Sequence, residues 1–216
     1  MHLEFLIEDF SGAALLEHLL PQLISEVDHS FRVHSYRGIG RIPKGLQPTS
    51  NASRRILLDQ LPRLLSGYAS VPGINAVVVV MDLDNRDLTA FQAELSLLAR
   101  RCGASDLSVF CVAIEEIEAW MLGDWEAVKL GYPLAKEKVH AAYIQDSICG
   151  TWETLADAIH KGGSRVLSSQ PYKVIGTAKC EWASRIGPHL DLNRNSSQSF
   201  RNFRQQVIRT LGSRQI

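Results

Sequence analysis

Cysteine is scarce in this sequence, and its four cysteines stand far apart. No two of them form the Cys-x-x-Cys pair from which zinc knuckles are built, so we expect no zinc site of that kind. Free thiols are typical of a reducing compartment, and we therefore expect the protein in the cytoplasm. The sequence also lacks any run of about eighteen apolar residues, so we expect no transmembrane helix and no membrane partner. Its first residues do not have the pattern of a signal peptide.

Several familiar catalytic motifs are missing as well. The sequence has no G-x-S-x-G nucleophile elbow, no H-E-x-x-H helix, no G-x-G-x-x-G turn and no phosphate-binding P-loop. Its seven histidines are scattered without the spacing of metal ligands. The sequence therefore does not indicate serine-hydrolase, zinc-peptidase or dinucleotide-binding chemistry.

The net charge of zero conceals an uneven distribution of charge. Residues 161–216 contain ten basic and two acidic side chains, a net charge of +8, and the other residues carry a net charge of −8. An acidic body with a basic C-terminal quarter is typical of a metal site beside a surface that binds a polyanion. The same pattern also fits a solvated basic helix, or a basic helix that packs on the acidic body.

Hydrophobic periodicity predicts strands that alternate with helices over the first half of the chain. Predicted strands cover 2–8, 31–36, 74–81 and 107–114, and predicted helices cover 11–27, 56–68 and 88–102. The third strand is a continuous apolar, β-branched run, which is typical of a central strand covered on both faces. This pattern predicts an α/β fold with a mostly parallel four-stranded sheet flanked by helices.

Two further features of the chain organisation follow from the same pattern. Residues 38–53 are rich in Gly, Pro, Ser and Asn and predict a long loop, and Pro62 predicts a kink or break in its helix. After residue 124 only helices are predicted, at about 135–146, 151–161, 177–190 and 197–211. We therefore expect an α/β domain over 1–124 and a helical C-terminal extension over 125–216.

Acidic residues stand at the ends of three predicted strands. Glu8, Asp82 and Glu115 each end a different strand, and the carboxyl ends of parallel strands meet at one edge of a sheet. Asp84 follows Asp82 by two residues, so in an extended segment both side chains point the same way. Converging carboxylates repel one another unless a cation neutralises them, and such oxygen ligands suit Mg²⁺ or Mn²⁺. The sequence therefore predicts a divalent-metal site at this edge.

Each acid also has a purely structural interpretation. Asp9 and Asp87 are placed to cap the helices that follow them. Glu115, Glu116 and Glu118 are placed to stabilise the first turn of a helix through its dipole. If this segment is helical, Glu115 and Glu118 share a face and Glu116 points away.

Several motifs resemble a known family. An acid ends the first strand in Leu3–Asp9, a D-x-D ends the apolar strand in Val77–Asp84, and a later acidic junction lies in Ala113–Trp120. This order resembles the TOPRIM domains of topoisomerases, primases and overcoming-lysogenization-defect nucleases. Ala113–Trp120, with Gly123–Glu126 and Ile186–Asp191, is also similar to the bacterial domain-of-unknown-function family four-two-seven-six. The resemblance covers nearly the whole chain, and Ala113–Trp120 is its most specific motif.

The resemblance implies a TOPRIM-like or Rossmann-like metal-binding fold, often found beside ATPases in phage defence. It implies that Glu8 is a general base or metal ligand and that Asp82 and Asp84 are metal ligands, together with one or more of Glu115, Glu116 and Glu118. The first motif departs from the family pattern, because Glu8 is followed by Asp-Phe-Ser-Gly in place of a Glu-Gly turn.

The leading hypothesis from the sequence is a Mg²⁺- or Mn²⁺-dependent phosphodiesterase that acts on nucleic acid. Lys179 is the candidate for neutralising charge in the transition state. The candidates for positioning the nucleic-acid backbone are Arg41, Lys44, Arg54, Lys179, Arg201 and Arg204. The alternatives are a non-catalytic TOPRIM-like subunit that partners an ATPase, and an enzyme that acts on a nucleotide-like small molecule.

Overall fold

The computed structural model describes residues 1–25 and 27–212. Its four strands are β1 (His2–Ile7), β2 (Ser30–Ser35), β3 (Ile74–Asp82) and β4 (Ser108–Ala113). The α-helices of the first half are α1 (Phe10–Leu23), α2 (Leu57–Ala69), α3 (Leu88–Arg101) and α4 (Glu118–Leu122). Those that follow are α5 (Trp125–Gly131), α6 (Glu137–Ala142), α7 (Thr151–Ile159), α8 (Gly163–Leu167), α9 (Tyr172–Ile186) and α10 (Gln198–Gly212). The predicted helix over 11–27 and the predicted extension to 216 include residues 26 and 213–216, which lie outside the described residues.

The sheet has the strand order β2-β1-β3-β4, and all three strand pairings are parallel. Phe5 of β1 lies between Val33 of β2 and Val78 of β3, and Val80 of β3 pairs with Cys111 of β4. The predicted α/β fold with a flanked, four-stranded sheet and a helical C-terminal part is confirmed. Helices connect the strands because a parallel pair needs a crossover connection.

Both faces of the sheet are covered by helices, which explains the continuous apolar run of β3. Val78 and Val80 point into a cluster that includes α1 and the C-terminal helices, whereas Val77, Val79 and Met81 point into a cluster with α2 and α3. The C-terminal helices contribute the large buried side chains of Trp182, Phe200 and Phe203 to the first cluster, where they join Trp120 of α4. The strands and the C-terminal helices therefore share one apolar core, and the division at residue 124 stays a prediction.

Two acids cap helices as the sequence predicts. Asp9 accepts a hydrogen bond from the backbone N–H of Gly12 at 2.7 Å, and Asp87 accepts one from Ala90 at 2.7 Å. These bonds satisfy amide groups that have no partner within the first turn of a helix. The expected break at Pro62 does not occur, because α2 continues through it.

Among the described residues, no helix combines the length and apolar character that are needed to cross a membrane. All four cysteines are free.

Candidate functional site

The strand ends bring several acids to one edge of the sheet. The backbone N–H of Glu8 donates to the carbonyl of Val80 at 3.2 Å, and that of Leu83 donates to Ala113 at 2.9 Å. The chain therefore leaves β1, β3 and β4 side by side. The side chains that gather here form what we call the acidic cluster: Glu8, Asp9, Asp82, Glu116 and Glu118, with Lys179 of α9.

Glu8 and Asp82 are neighbours within the acidic cluster. The backbone N–H of Asp82 donates to Oε2 of Glu8 at 2.9 Å. Burial raises the pKa of Glu8 to about 7, and the charges of Asp84 and Asp9 act in the same direction. Burial, followed by the charge of Glu8, raises the pKa of Asp82 well above its ordinary value. Placing these buried carboxylates close together costs free energy, and a cation at this edge would offset that cost.

Glu116 and Glu118 meet Lys179 on the other side of the cluster. The Nζ of Lys179 lies 3.2 Å from Oε1 of Glu118 and 3.7 Å from Oε2 of Glu116. Burial, followed by the charge of Glu118, raises the pKa of Glu116 to about 8. Burial also raises the pKa of Glu118, although Lys179 opposes this shift. Burial alone lowers the pKa of Lys179, but the charges of Glu118, Glu116 and Asp82 outweigh it and hold that pKa above its ordinary value.

Three carboxylate oxygens of this group are buried and lack a well-directed hydrogen bond, although two of them face Nζ of Lys179. They are both oxygens of Glu118, whose residue is 0% exposed, and Oε2 of Glu116. Buried polar atoms without partners are rare in folded proteins, and each one calls for an explanation such as an ion or a water molecule. Lys179 contributes one positive charge against five carboxylates, and oxygen ligands of this kind suit a hard divalent cation. The donor atoms of the cluster, although not their positions, are therefore of the kind that suits a divalent cation.

The side-chain positions themselves do not yet form a coordination site. In residues 1–25 and 27–212, no three His, Cys, Asp or Glu side chains stand where they would hold an ion. Metal binding therefore requires the carboxylates of the acidic cluster to turn toward a common point.

Glu115 is directed away from the acidic cluster. Its backbone is left-handed, with a φ of 58°, and its carboxylate accepts hydrogen bonds from the backbone N–H groups of Cys149, Gly150 and Thr151. Burial raises the pKa of Glu115, but these bonds and the one from the Thr151 hydroxyl outweigh burial and lower it. Glu115 therefore holds the first turn of α7 to the sheet.

The neighbouring acids correct one expectation from the sequence. The segment is not helical from Glu115 onward, because α4 begins at Glu118. Glu116, which a helix would direct away from Glu118, shares Lys179 with it. The left-handed backbone at Glu115 is the physical reason, since it turns the chain before the helix starts.

Asp84 lies at the margin of the cluster. The extended segment ends at Asp82, and Asp84 has a φ of 52°, so the two acids do not follow the alternation expected of a strand. The Oδ2 of Asp84 accepts a hydrogen bond from Nη1 of Arg86 at 2.7 Å. Asp84 therefore already has a cationic partner, although its charge contributes to the raised pKa of Glu8.

The predicted nucleic-acid-binding residues fall in two places. Arg41, Lys44 and Arg54 are exposed on the loop after β2, which starts beside the acidic cluster because the N–H of Gly38 donates to the carbonyl of Glu8 at 3.0 Å. Arg201 on α10 instead donates to the carbonyl of Ser196 at 2.7 Å. Arg204 lies within the electrostatic influence of Asp191.

Sequence reasoning missed the part that Asp9 plays in the cluster, because it assigned Asp9 a capping role alone. Its position directly after Glu8 was the available signal. Asp9 does cap α1, yet its charge also raises the pKa of Glu8 and of Asp82.

We compared the chain with models of protein families, with curated proteins and with solved structures, and none of the three comparisons found a match.

Proposed function

We propose that the protein is a Mg²⁺- or Mn²⁺-dependent phosphodiesterase that acts on nucleic acid. The observation that carries this proposal is the burial of the carboxylates of Glu116 and Glu118 near Asp82 and Glu8, with Lys179 as their cationic partner. A group of buried acids at the carboxyl edge of a parallel sheet, with more carboxylates than cations, is the arrangement expected of a cation site.

Four side chains are the proposed metal ligands: Glu8, Asp82, Glu116 and Glu118. Asp84 is a weaker candidate because it is paired with Arg86. Glu116 takes the place of Glu115 among the proposed ligands, because the oxygens of Glu115 accept hydrogen bonds from the start of α7. A bound divalent ion supplies Lewis-acid polarisation of the phosphoryl group and activation of water.

The other residues of the site bind and orient the substrate. Lys179 is an ammonium group among the carboxylates, placed to offset charge on a phosphate oxygen as well as on Glu118. The exposed side chains Arg41, Lys44 and Arg54 lie on the loop that begins beside Glu8, where they would hold the phosphates that flank the reacting one. The proposed location is the cytoplasm, in keeping with four free cysteines.

Cleavage assays with the substitution Asp82→Asn test this proposal. The wild type is expected to cleave DNA or RNA in Mn²⁺ and to stop in a chelator, and Asp82→Asn is expected to fall to the chelator rate. Glu94→Gln removes an exposed acid of α3 and is the matched control that should cleave as the wild type does. Full Mn²⁺-dependent cleavage by Asp82→Asn would contradict the proposal.

A second candidate function is a non-catalytic TOPRIM-like subunit that partners an ATPase. It is favoured by one observation, namely that Lys179 already supplies a positive charge between Glu116 and Glu118. In that case the lysine takes the place of a metal ion permanently. A wild type that binds no Mn²⁺ and cleaves no nucleic acid, but forms a stable complex with an ATPase, would support this alternative.

A further inference from the structure

An aromatic cleft lies directly beside the acidic cluster. Its volume is about 670 Å³, within the range of small-molecule sites, and it lies between the turn before α1, the end of β2 and helix α9. Its principal lining residues are Phe10, Tyr36, Arg37, Tyr172, Lys173 and Gly176. Asp9 and Cys180 also line the cleft, so it adjoins the acidic cluster through Asp9 and through the neighbour of Lys179.

The aromatic side chains of the cleft are unusually accessible. Phe10 is 52% exposed and Tyr172 is 87% exposed, whereas Tyr36 is buried at the back of the cleft. The exposed rings of Phe10 and Tyr172 therefore line one cavity, whereas Tyr36 packs into the core with the guanidinium group of Arg55 5.1 Å from its ring centroid. Exposed apolar side chains that are grouped at one cavity, in contrast to single scattered ones, are a feature of binding sites.

Gly176 leaves the helical wall of the cleft open. A Cβ atom built at this position meets no described atom within 4 Å, and Gly176 lies inside the helical span of α9. Glycine is a weaker helix former than alanine, so its presence here has no advantage for the helix itself. Its effect is to leave the wall of the cleft without a side chain at this position.

The charges at the entrance of the cleft are basic. Arg37 and Lys173 are both exposed and stand on opposite walls, one after β2 and the other in the first turn of α9. A ligand with a flat aromatic part and flanking negative charges would meet the rings and both cations at once. A purely apolar peptide would leave the two cations without an anionic partner.

We propose that this cleft binds an unpaired nucleobase of the nucleic acid whose phosphodiester lies at the acidic cluster. The inference rests on the proposed function and adds the substrate class, namely a single-stranded segment. A base stacks on aromatic side chains only when it is released from pairing with its own strand partner, and such stacking tolerates any base sequence. Arg37 and Lys173 then contact the phosphates on either side of that base.

Fluorescence anisotropy with labelled oligonucleotides in a chelator tests the inference, because binding is measured there without metal and without cleavage. The probes are a short single strand of DNA, the same strand in RNA, an abasic strand of equal length and the DNA duplex. The wild type is expected to bind one or both of the single strands more tightly than the abasic strand and the duplex. The DNA and RNA strands distinguish the two possible sources of the base.

Two substitutions locate the base preference in the cleft. Tyr172→Ala removes a stacking surface, and Gly176→Leu fills the cavity; each is expected to weaken single-strand binding about tenfold, toward the abasic value. Gly67→Leu is the matched control, because Gly67 also lies in a helix, is exposed and has no described atom within 4 Å of an added Cβ. Each leucine variant should fold at least as stably as the wild type, since glycine is the weaker helix former.

Three results would overturn the inference: equal binding of the base-containing and abasic strands, no binding of any strand, or an unchanged base preference in Gly176→Leu. The proposed function fails separately, through absence of Mn²⁺-dependent cleavage by the wild type. If the protein binds the base-containing strand more tightly than the abasic strand in the chelator but never cleaves nucleic acid, the inference about the cleft holds and the proposed phosphodiesterase function fails.

Discussion

At the scale of single residues, the ion pair between Lys179 and Glu118 carries the most information about the site. The carboxylate of Glu118 is completely buried, and the ammonium group of Lys179 lies 3.2 Å from its Oε1. Burying a charge is costly unless it is paired and hydrogen-bonded, and here one lysine serves two buried glutamates. The arrangement around Glu118 therefore lowers the stability of the fold, as the arrangement at functional sites often does.

Replacing Lys179 tests how much the cluster depends on this single cation. Lys179→Met leaves Glu118 with an uncompensated buried charge, and we expect a loss of about 3–5 kcal/mol in the free energy of unfolding, measured with urea. The double variant Lys179→Met/Glu118→Gln should recover part of this loss because it removes the stranded charge.

A surface lysine provides the control for that experiment. Lys129 pairs with Glu126 one helical turn away at 2.7 Å, but both side chains are exposed, so Lys129→Met should change stability little. A Lys179→Met variant as stable as the Lys129→Met variant would contradict the account of the cluster.

At the scale of elements, the long loop after β2 is held by one buried acid on α2. Asp59 accepts hydrogen bonds from the backbone N–H and the hydroxyl of Thr49 and of Ser50, at distances of 2.5–3.0 Å. Burial raises the pKa of Asp59, but these bonds outweigh burial and hold that pKa well below its ordinary value of 3.8. Asp59 therefore positions the segment that carries Arg41, Lys44 and Arg54.

Asp59→Asn is expected to destabilise the protein at neutral pH, because the amide group has one acceptor oxygen where the carboxylate has two. The folded-state pKa of Asp59 is depressed, so its contribution is fully present above 3.8 and is lost as the pH falls below that value. The stability difference between wild type and variant, measured by urea unfolding, should therefore shrink on acidification below 3.8.

Asp87→Asn is the matched control for Asp59→Asn, because asparagine caps a helix about as well as aspartate does. It should leave stability nearly unchanged at every pH. A difference between wild type and Asp59→Asn that grows on acidification would contradict the assignment.

The sequence predicted the strands and the longer helices, but it missed the short helices α5 and α8 and the turns between elements, for a physical reason. Strands and helices can be predicted from the pattern of apolar residues along the sequence, as in the continuous apolar run of β3. Left-handed backbone at a non-glycine residue leaves no such pattern, and it occurs at both Asp84 and Glu115. At those two turns the acids do not have the positions that the sequence predicts.

At the scale of the whole molecule, the fold positions both parts of the site through the packing of α9 against α1. Helix α9 contributes Lys179 to the acidic cluster and Tyr172 and Lys173 to the aromatic cleft. It is anchored through Trp182, which is buried in the core shared with α1 and the strands. The described basic side chains of the C-terminal quarter therefore have different roles: Lys179 pairs with Glu118, Arg194 pairs with the buried Asp124, and Lys173 is exposed at the aromatic cleft.

The long-range arrangement of the C-terminal helices was beyond the reach of the sequence. The carboxylate of Asp146 accepts hydrogen bonds from Ser197, Gln198 and Ser199 and so holds the start of α10, although about fifty residues separate the partners. Periodicity within one segment carries no information about such a contact. For the same reason, the convergence of Glu8 and Asp82 was predictable from strand order. Lys179 was predicted only as a candidate for neutralising charge, and its position beside the acids was not predicted.

The most direct test of the central claim is a calorimetric titration of Mn²⁺ into the wild type, Glu118→Gln and the surface control Glu94→Gln, all confirmed to be folded by their urea unfolding curves. If the acidic cluster is a metal site, the wild type and Glu94→Gln bind Mn²⁺ alike, and Glu118→Gln loses binding because it removes the buried charge without changing the shape of the side chain. Absence of Mn²⁺ binding in the wild type, or equal binding by Glu118→Gln, would contradict the claim that the acidic cluster is a metal site.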